Sequence, residues 1–504
     1  MDAVLYEKRL DTGTAAEVSE DFTLPDYRPE IRRIAGIRAQ ASVDGKYLAG
    51  NELEADGSVT YTVVYQDADG RLYELSETSS FTSKLPTGAE EGEDHPGAAD
   101  LILSAEAENA VCRVTGPRKV TLSSRVRLSL VSQKPSDFTL AVPEEAVRVR
   151  RKTGTVKTGV MCEARGSFEV SGEIADRSGR IAGAQGSVCV SDVRFEGDRL
   201  IFRGEASVTA LLARDSSEEK PNGAPCEDYL ITRGTAQVEE PVVLPERVRG
   251  AVNGADRAVR GAVFPKVILT ELETEDGSIR WRMEYDADAV IMLCGEGEIT
   301  EDAYSPDTET ETEEKSCFSL SPAAVRNGRV TLTGRIRTDR DAEFVTAWGT
   351  ADPGKCAVRG GVAQLNGTAK VTVLTRTGDE FSASEATLPL RYEWEALPGA
   401  QDADEGAVTG RMEAGIASIT ATPSGSDGGT EWSVTAEVWI AAALLSSSPV
   451  HGAVRLIPVR TDTPVPKKNV IRVYIPEPGE TPWDVGKRFR LPAEAAPVDG
   501  VYVI

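Results

Sequence analysis

Histidine is nearly absent from this chain of 504 residues, which has only two, His95 and His451. This scarcity leaves little material for Ser-His-Asp or Cys-His catalysis and for metal sites built on imidazole. The seven cysteines are scattered, and none forms a Cys-x-x-Cys pair. We therefore expect reduced thiols in the protein interior and no disulfide or zinc framework.

Signals for export, membrane insertion and nucleic-acid binding are also missing. The first residues, MDAVLYEKRLDTG, have no basic region followed by an apolar run, so we expect a cytoplasmic location. The longest apolar run, Val438–Leu445, suits a buried strand, and no run approaches the roughly 18 residues of a membrane span. The 56 basic and 81 acidic side chains give a net charge of −25, which argues against nucleic acid as the main partner.

Catalytic and cofactor motifs are lacking as well. The chain has no GxxxxGK[ST] phosphate loop and no HExxH metal motif, so we expect no cofactor and no metal. A pair of carboxylates could still hydrolyse glycosides without histidine. With 81 acidic residues no such pair stands out, and we expect the protein not to be an enzyme.

What the chain does contain is period-two patterning, which predicts β-strands. Residues Ser58–Tyr65 alternate β-branched and aromatic side chains, Asp69-Gly70 supplies a turn, and Leu72–Phe81 runs back as a second strand. The fold class expected is mostly β, with tandem antiparallel β-sandwich-like modules. Further strands are predicted at Lys119–Leu130, Arg199–Leu212, Val267–Leu272, Arg280–Met292, Val330–Ile336, Ala369–Thr375 and Trp432–Leu445.

A faint internal repeat supports division into modules. The hairpin patterns at residues 57–85, 204–245 and 367–397 recur at about one domain length. We predict β-modules at 1–141, 159–300 and 315–460, with linkers at 142–158 and 301–314. A polar loop at Thr87–Asp100 and a Pro-rich spacer at Thr461–Lys468 complete the division, and the spacer precedes a small domain at 469–504.

The segment Glu20–Ile34 contains the string LPDYRPEI, in which Pro25 and Pro29 flank a turn and Ile31 and Ile34 form a short apolar pattern. Together with the hairpin at 57–85, it resembles the SPOCS domain of clostridial spore coat proteins. The resemblance covers about the first 135 residues. The second and third modules match it only through their hairpins.

The C-terminal segment combines a strand at Val470–Ile475, a turn at Gly479 and a helix start. In that start Thr481 is the N-cap, Pro482 is at N1 and Asp484 completes a capping box. Val485 and Phe489 are predicted to face inward, and Lys487 and Arg488 outward. A second short helix is predicted at Pro492–Ala496 and a closing strand at Gly500–Ile504. This βααβ pattern resembles the LysM domain, and the residues that match its turn and helix start are Gly479, Glu480, Thr481 and Trp483.

SPOCS modules followed by one LysM domain resemble the SipL-type spore coat morphogenetic proteins of clostridia. The resemblance implies a non-enzymatic scaffold of the mother-cell cytoplasm, at the forespore surface, whose LysM-like tip docks to a coat morphogenetic ATPase. Self-association of the β-modules is a further expectation. The expected partner-binding residues are Gly479, Glu480, Thr481, Trp483, Lys487 and Arg488.

The alternative is a glycan-binding LysM protein of the cell envelope, with peptidoglycan as its ligand. In the LysM family, one wall of the N-acetylglucosamine groove is formed by a loop that follows the second helix. This chain departs from the family pattern after Ala496 and lacks that longer loop. The departure and the expected cytoplasmic location weigh against peptidoglycan as the ligand.

Overall fold

Antiparallel β-sheet makes up most of this chain. The computed structural model describes residues 5–89, 97, 100–136, 138–146, 148–175, 179–219, 225–252, 258–275, 278–338, 342–424, 431–459, 473–493, 495, 497–498 and 501–503. Within these residues there are twenty strands, two α-helices and one short 3-10 helix. The prediction of a mostly β protein is confirmed, and the nine strand patterns read between residues 58 and 445 all fall inside observed strands.

The first six strands form unit one. One sheet has the order β1-β6-β5 and the other has the order β2-β3-β4. In β3 the side chains of Val59, Tyr61, Val63 and Tyr65 are all buried, while the residues between them are partly exposed. This alternation is what the period-two pattern requires of a strand with one face in the core. The strands are β1 (Leu5–Thr23), β2 (Arg33–Ala49), β3 (Glu52–Gln66), β4 (Leu72–Pro86), β5 (Ile102–Gly116) and β6 (Lys119–Ser136).

The same strand order occurs twice more along the chain. Unit two has sheets β7-β12-β11 and β8-β9-β10, and unit three has β13-β18-β17 and β14-β15-β16. The three hairpins noted in the sequence are therefore the same two strands of each unit. Unit two comprises β7 (Arg150–Ile174), β8 (Arg180–Glu196), β9 (Arg199–Glu219), β10 (Pro225–Val243), α1 (Glu246–Val252), β11 (Ala258–Glu275) and β12 (Ser278–Tyr304). Unit three comprises β13 (Thr310–Arg337), β14 (Glu343–Arg359), β15 (Val362–Thr377), β16 (Glu380–Glu395), a 3-10 helix (Glu405–Ala407), β17 (Val408–Pro423) and β18 (Glu431–Pro458).

Each unit has its own apolar core, to which both of its sheets contribute. A smaller cluster, which includes Ile102, Phe264 and Leu445, draws residues from all three units. Units one and three also share a sheet, because β1 pairs with β13 at Glu7 and Ser319. The three units therefore pack against one another.

A buried charge network lies at the junction of the units. Arg411 of β17 is almost fully buried and forms ion pairs with Glu163 of β7 at 3.1 Å, Asp288 of β12 at 2.9 Å and Glu413 at 2.8 Å. Lys46 of β2 approaches Glu163 at 2.5 Å, which adds unit one to the network. Burial on its own would raise the pKa of Asp288, but Arg411 holds that pKa below its ordinary value. Buried charges of this kind persist only when they are paired.

The predicted linkers differ from what the structure shows. Residues 150–158 belong to β7 and pair with the end of β12, and residues 310–314 belong to β13 and pair with β18. Their polar composition reflects the exposed faces of paired strands, because a strand exposed on one side alternates polar and apolar residues. Most of the polar loop at Thr87–Asp100 and all of the spacer at Thr461–Lys468 lie outside the described residues.

Candidate functional site: the C-terminal tip

The tip, residues 473–503, has a short strand, a helix and a closing strand: β19 (Val473–Tyr474), α2 (Pro482–Phe489) and β20 (Tyr502–Val503). β19 and β20 pair antiparallel. A second helix at 492–496 is not confirmed. There the described residues form a turn, in which the Ala495 N–H donates to the Pro492 carbonyl at 3.2 Å. Of the strand predicted at Val470–Ile475, the described residues show Val473–Tyr474.

The start of α2 follows from its sequence. Gly479 has φ of 91°, in the left-handed region that glycine adopts without strain. Thr481 caps the helix: its hydroxyl accepts from the Asp484 N–H, and the Asp484 carboxylate accepts from the Thr481 N–H at 2.8 Å. Pro482 follows at the first helical position. The predicted capping box is confirmed.

The tip has a small core of its own. Val485 is fully buried and packs with Leu491 and Tyr502. Phe489 is half-buried, and its ring lies 4.7 Å from that of Tyr474. The prediction that Val485 and Phe489 face inward is confirmed, since residues four apart lie on one side of a helix.

Helix α2 lies against the end of unit two through Asp302 of β12. The Trp483 indole N–H donates to Oδ2 of Asp302 at 2.8 Å, and Nζ of Lys487 donates to Oδ1 at 2.6 Å. Burial alone would raise the pKa of Asp302, but the hydrogen bonds from Lys487 and Trp483 outweigh burial and lower it. One carboxylate thus holds two side chains of the tip.

A second set of contacts surrounds Tyr304, the last residue of β12. Its ring meets that of Trp483 edge to face at 5.2 Å, and its hydroxyl donates to the Leu491 carbonyl at 2.9 Å. Arg150, at the start of β7, donates to the Tyr304 hydroxyl at 2.8 Å. A Cβ added at Gly486 would lie 2.7 Å from the Tyr304 hydroxyl, so glycine lets the helix approach closely here.

The six residues predicted to bind a partner fall into three groups. Trp483 and Lys487 face Asp302 of the body. Glu480 and Arg488 pair with each other at 2.9 Å, and Glu480 accepts from the Tyr474 hydroxyl at 2.6 Å, which lowers the pKa of Glu480. Gly479 forms the turn before α2, and Thr481 caps the start of that helix.

The tip also exposes an apolar edge, defined here as Val473, Ile475 and Val498. Their side chains are 67%, 71% and 70% exposed, more than any other large apolar side chain in the described part of the chain except Tyr27. Val498 pairs with Val501 in an isolated bridge next to β20, so the three lie along the small sheet. Single exposed apolar residues are ordinary, but three in so small a unit form a patch.

Sequence reasoning missed the residues that receive the tip. Arg150, Asp302 and Tyr304 all lie in segments that the sequence predicted to be linkers. The apolar edge was missed because Val473 and Ile475 fit an ordinary strand pattern. That pattern does not tell which face of the strand is buried and which is exposed. No local signal identifies a receptor surface that lies more than 150 residues away in sequence.

Among the described residues, no group of three or more His, Cys, Asp or Glu side chains could hold a metal ion. Within the same ranges, no helix is long and apolar enough to cross a membrane. Comparisons with protein-family models, with curated proteins and with solved structures found no match to this chain.

Proposed function

We propose that this protein is a non-enzymatic scaffold of spore coat assembly, located in the mother-cell cytoplasm, that docks to a coat morphogenetic ATPase through its C-terminal tip. The LPDYRPEI string and the C-terminal turn and helix start support this proposal through their resemblance to SPOCS and LysM domains. The capped helix between two paired strands is compatible with a LysM-like tip. The body then serves as a β-rich frame that positions the tip.

The observation that carries the proposal is the apolar edge of the tip. Burying a Val or Ile side chain contributes about 1.5–3 kcal/mol relative to leaving it in water. The three side chains together therefore offer several kcal/mol, enough to anchor a protein interface. Trp483 and Lys487 already contact Asp302 within the chain. The apolar edge has no such contact, so we expect it to be the main surface that the partner binds.

The basic pair is less available than the apolar edge. Lys487 and Arg488 are exposed, but each forms an ion pair within this chain, with Asp302 and Glu480 respectively. A partner that used them would have to break these pairs. We therefore expect Lys487 and Arg488 to contribute less to binding than Val473 and Ile475.

The test is capture of the purified coat ATPase by the immobilised full-length chain. The double change Val473→Asp and Ile475→Asp should weaken binding at least about tenfold, or 1.4 kcal/mol. A matched control places the same charges on exposed apolar residues of the body, Val243→Asp and Phe318→Asp, which are 54% and 63% exposed. The control should bind as the wild type does.

Two outcomes would overturn the proposal. Equal binding by the tip variant and the control would remove the apolar edge from the interface. Strong retention of the wild type on purified peptidoglycan, lost in a Trp483→Ala variant, would favour the glycan-binding alternative.

A further inference from the structure

A cavity of about 680 Å³ lies where the three units meet. The second and the fifth strand of every unit contribute to its wall, namely β2 and β5, β8 and β11, and β14 and β17. All six are edge strands of their sheets. Pockets that hold small molecules in proteins span about 300–1,000 Å³, so this central cavity has the size of a small-molecule site.

Most cations in the wall of the central cavity are already paired. Three of them form ion pairs with carboxylates that also line the cavity: Arg38 with Glu74 at 3.5 Å, Arg127 with Glu106 at 2.5 Å and Lys355 with Glu405 at 3.6 Å. The other carboxylates in the described part of the wall each have an ion-pair or hydrogen-bond partner in the chain as well. The remaining cation is Lys266 of β11.

The side chain of Lys266 faces the junction of the units. Side chains alternate between the two faces of a strand. On β11, Val263 packs in the core of unit two, whereas Ala262 and Phe264 pack in the cluster to which all three units contribute. Lys266 continues the series of Ala262 and Phe264 and lines the central cavity. It therefore lies on the face of β11 that is turned toward the space between the units.

The ammonium group of Lys266 lacks a hydrogen-bond partner. The residue is 5% exposed, and within the described part of the chain no acceptor lies within hydrogen-bond distance of Nζ. Lys266 acts on the charge of Asp288 from a distance, but Arg411 and Arg165 already hold that carboxylate, at 2.9 and 2.5 Å. A buried ammonium without an acceptor is costly, which leaves the cavity as the place from which an acceptor can come.

Exposed apolar side chains lie close to Lys266 in the sequence and in the wall. Ile268 and Leu269 follow it on β11, line the cavity and are 43% and 40% exposed. Trp439 of β18 also lines the cavity and packs against the cluster between the units. A wall that combines apolar surface with one unpartnered cation suits a molecule with an apolar body and an anionic group.

We propose that the central cavity binds a small organic anion. Its carboxylate, phosphate or sulfonate group accepts a hydrogen bond from Nζ of Lys266, and its apolar body packs against Ile268, Leu269 and Trp439. Hydrogen bonds between charged groups are roughly twice as strong as neutral ones, so Lys266 sets the preference for anions. Because residues of all three units line the cavity, the bound anion stabilises the packing of the units.

The experiment is a fluorescence titration of the full chain with two probes that share an aromatic body. One is 8-anilino-1-naphthalenesulfonate, an anion, and the other is N-phenyl-1-naphthylamine, which lacks the sulfonate. The wild type should bind the anionic probe. Lys266→Met should weaken that binding at least about tenfold, and should leave the affinity for the uncharged probe within about threefold of the wild type.

A competition measurement needs no variant. Phenyl phosphate should displace the anionic probe from the wild type at least about tenfold more effectively than phenol, because only phenyl phosphate carries a charged acceptor for Lys266. This measurement keeps the proposal testable if Lys266→Met does not fold.

Matched variants locate the probe. Lys355→Met removes one positive charge from the same cavity, but Lys355 is exposed and paired with Glu405, so binding of the anionic probe should stay within about threefold of the wild type. Gln40→Trp places an indole at an exposed position in the wall and should displace both probes. Val473→Asp with Ile475→Asp removes the apolar edge of the tip and should bind both probes as the wild type does. Circular dichroism and the melting temperature show whether each variant is folded.

Several results would overturn the proposal. These are a wild type that does not bind the anionic probe, a folded Lys266→Met variant that binds it unchanged, or equal displacement by phenyl phosphate and phenol. Equal loss of both probes in Lys266→Met would assign Lys266 to the packing of the units. Loss of the anionic probe in the tip variant would place the probe at the apolar edge. No result depends on capture of the coat ATPase, so failure of this inference is distinguishable from failure of tip docking.

Discussion

Replacing Asp302 with alanine should release the tip from the body while leaving the three β-units folded. Asp302 accepts hydrogen bonds from Trp483 and Lys487. The ion pair with Lys487 is partly exposed, with 42% of the lysine side chain accessible, so it contributes at most about 1 kcal/mol. The bond from the part-buried Trp483 indole to a charged acceptor contributes about 1.5 kcal/mol. The total of about 2 kcal/mol corresponds to a roughly thirtyfold shift in the docking equilibrium.

Selective ¹⁵N labelling of tryptophan measures this shift directly. The indole N–H resonance of Trp483 should move toward its position in water in the Asp302→Ala variant, and its hydrogen exchange should accelerate about thirtyfold. Asp307→Asn is the matched control: Asp307 lies five residues after Asp302, contacts Arg148 at 3.9 Å and has no hydrogen bond or ion pair with the described residues of the tip. An unchanged Trp483 resonance and exchange rate in Asp302→Ala would refute the reasoning.

The same contact predicts a pH dependence. The pKa of Asp302 is lower in the folded protein than in an unfolded chain, where a carboxyl titrates near about 3.9. Its contribution to docking is therefore complete above that pH and is lost as pH falls through the depressed pKa. Wild-type Trp483 should detach in acid, and the pH dependence should be missing in Asp302→Ala.

Three further predictions concern stability and thiol chemistry. Arg411→Met should destabilise the body by about 3–5 kcal/mol in urea unfolding, because it leaves buried carboxylates such as Asp288 without their main partner. This loss of stability should become smaller as pH falls below about 4, because the carboxylates then become protonated. Phe489→Ala should disorder the tip alone, because losing a half-buried ring costs about 2 kcal/mol of stability. The NMR signals of the tip should be lost, and the main thermal transition should be unchanged. Burial raises the pKa of Cys189 and of Cys356 to about 11, so the native protein should react slowly with Ellman's reagent at pH 8. The denatured, unreduced protein should titrate seven thiols.

The strands of this protein could be predicted because their signal is local. In β3 the alternation from Val59 to Tyr65 sets which side chains face the core, and the nine strand patterns read between residues 58 and 445 lie within observed strands. The start of α2 was equally predictable, since Thr481, Pro482 and Asp484 are adjacent residues whose capping geometry depends on the backbone between them.

The errors arose where a local pattern has two structural meanings. The acidic residues of 301–314 suit a linker as well as the exposed face of a strand, and only pairing with distant strands decides between them. The residues of 492–496 have helical composition, but their described members form a turn. A short helix has too few hydrogen bonds to form on composition alone.

By itself, the sequence determined the strand content, the repeated hairpins, the capped helix and the scarcity of catalytic side chains. Only the tertiary structure decided that Lys487 and Trp483 contact Asp302. These two residues lie 185 and 181 positions after Asp302 in the sequence. Local interactions depend on neighbouring residues and can be read from the chain, whereas contacts across the fold depend on how whole sheets pack, which no single segment encodes.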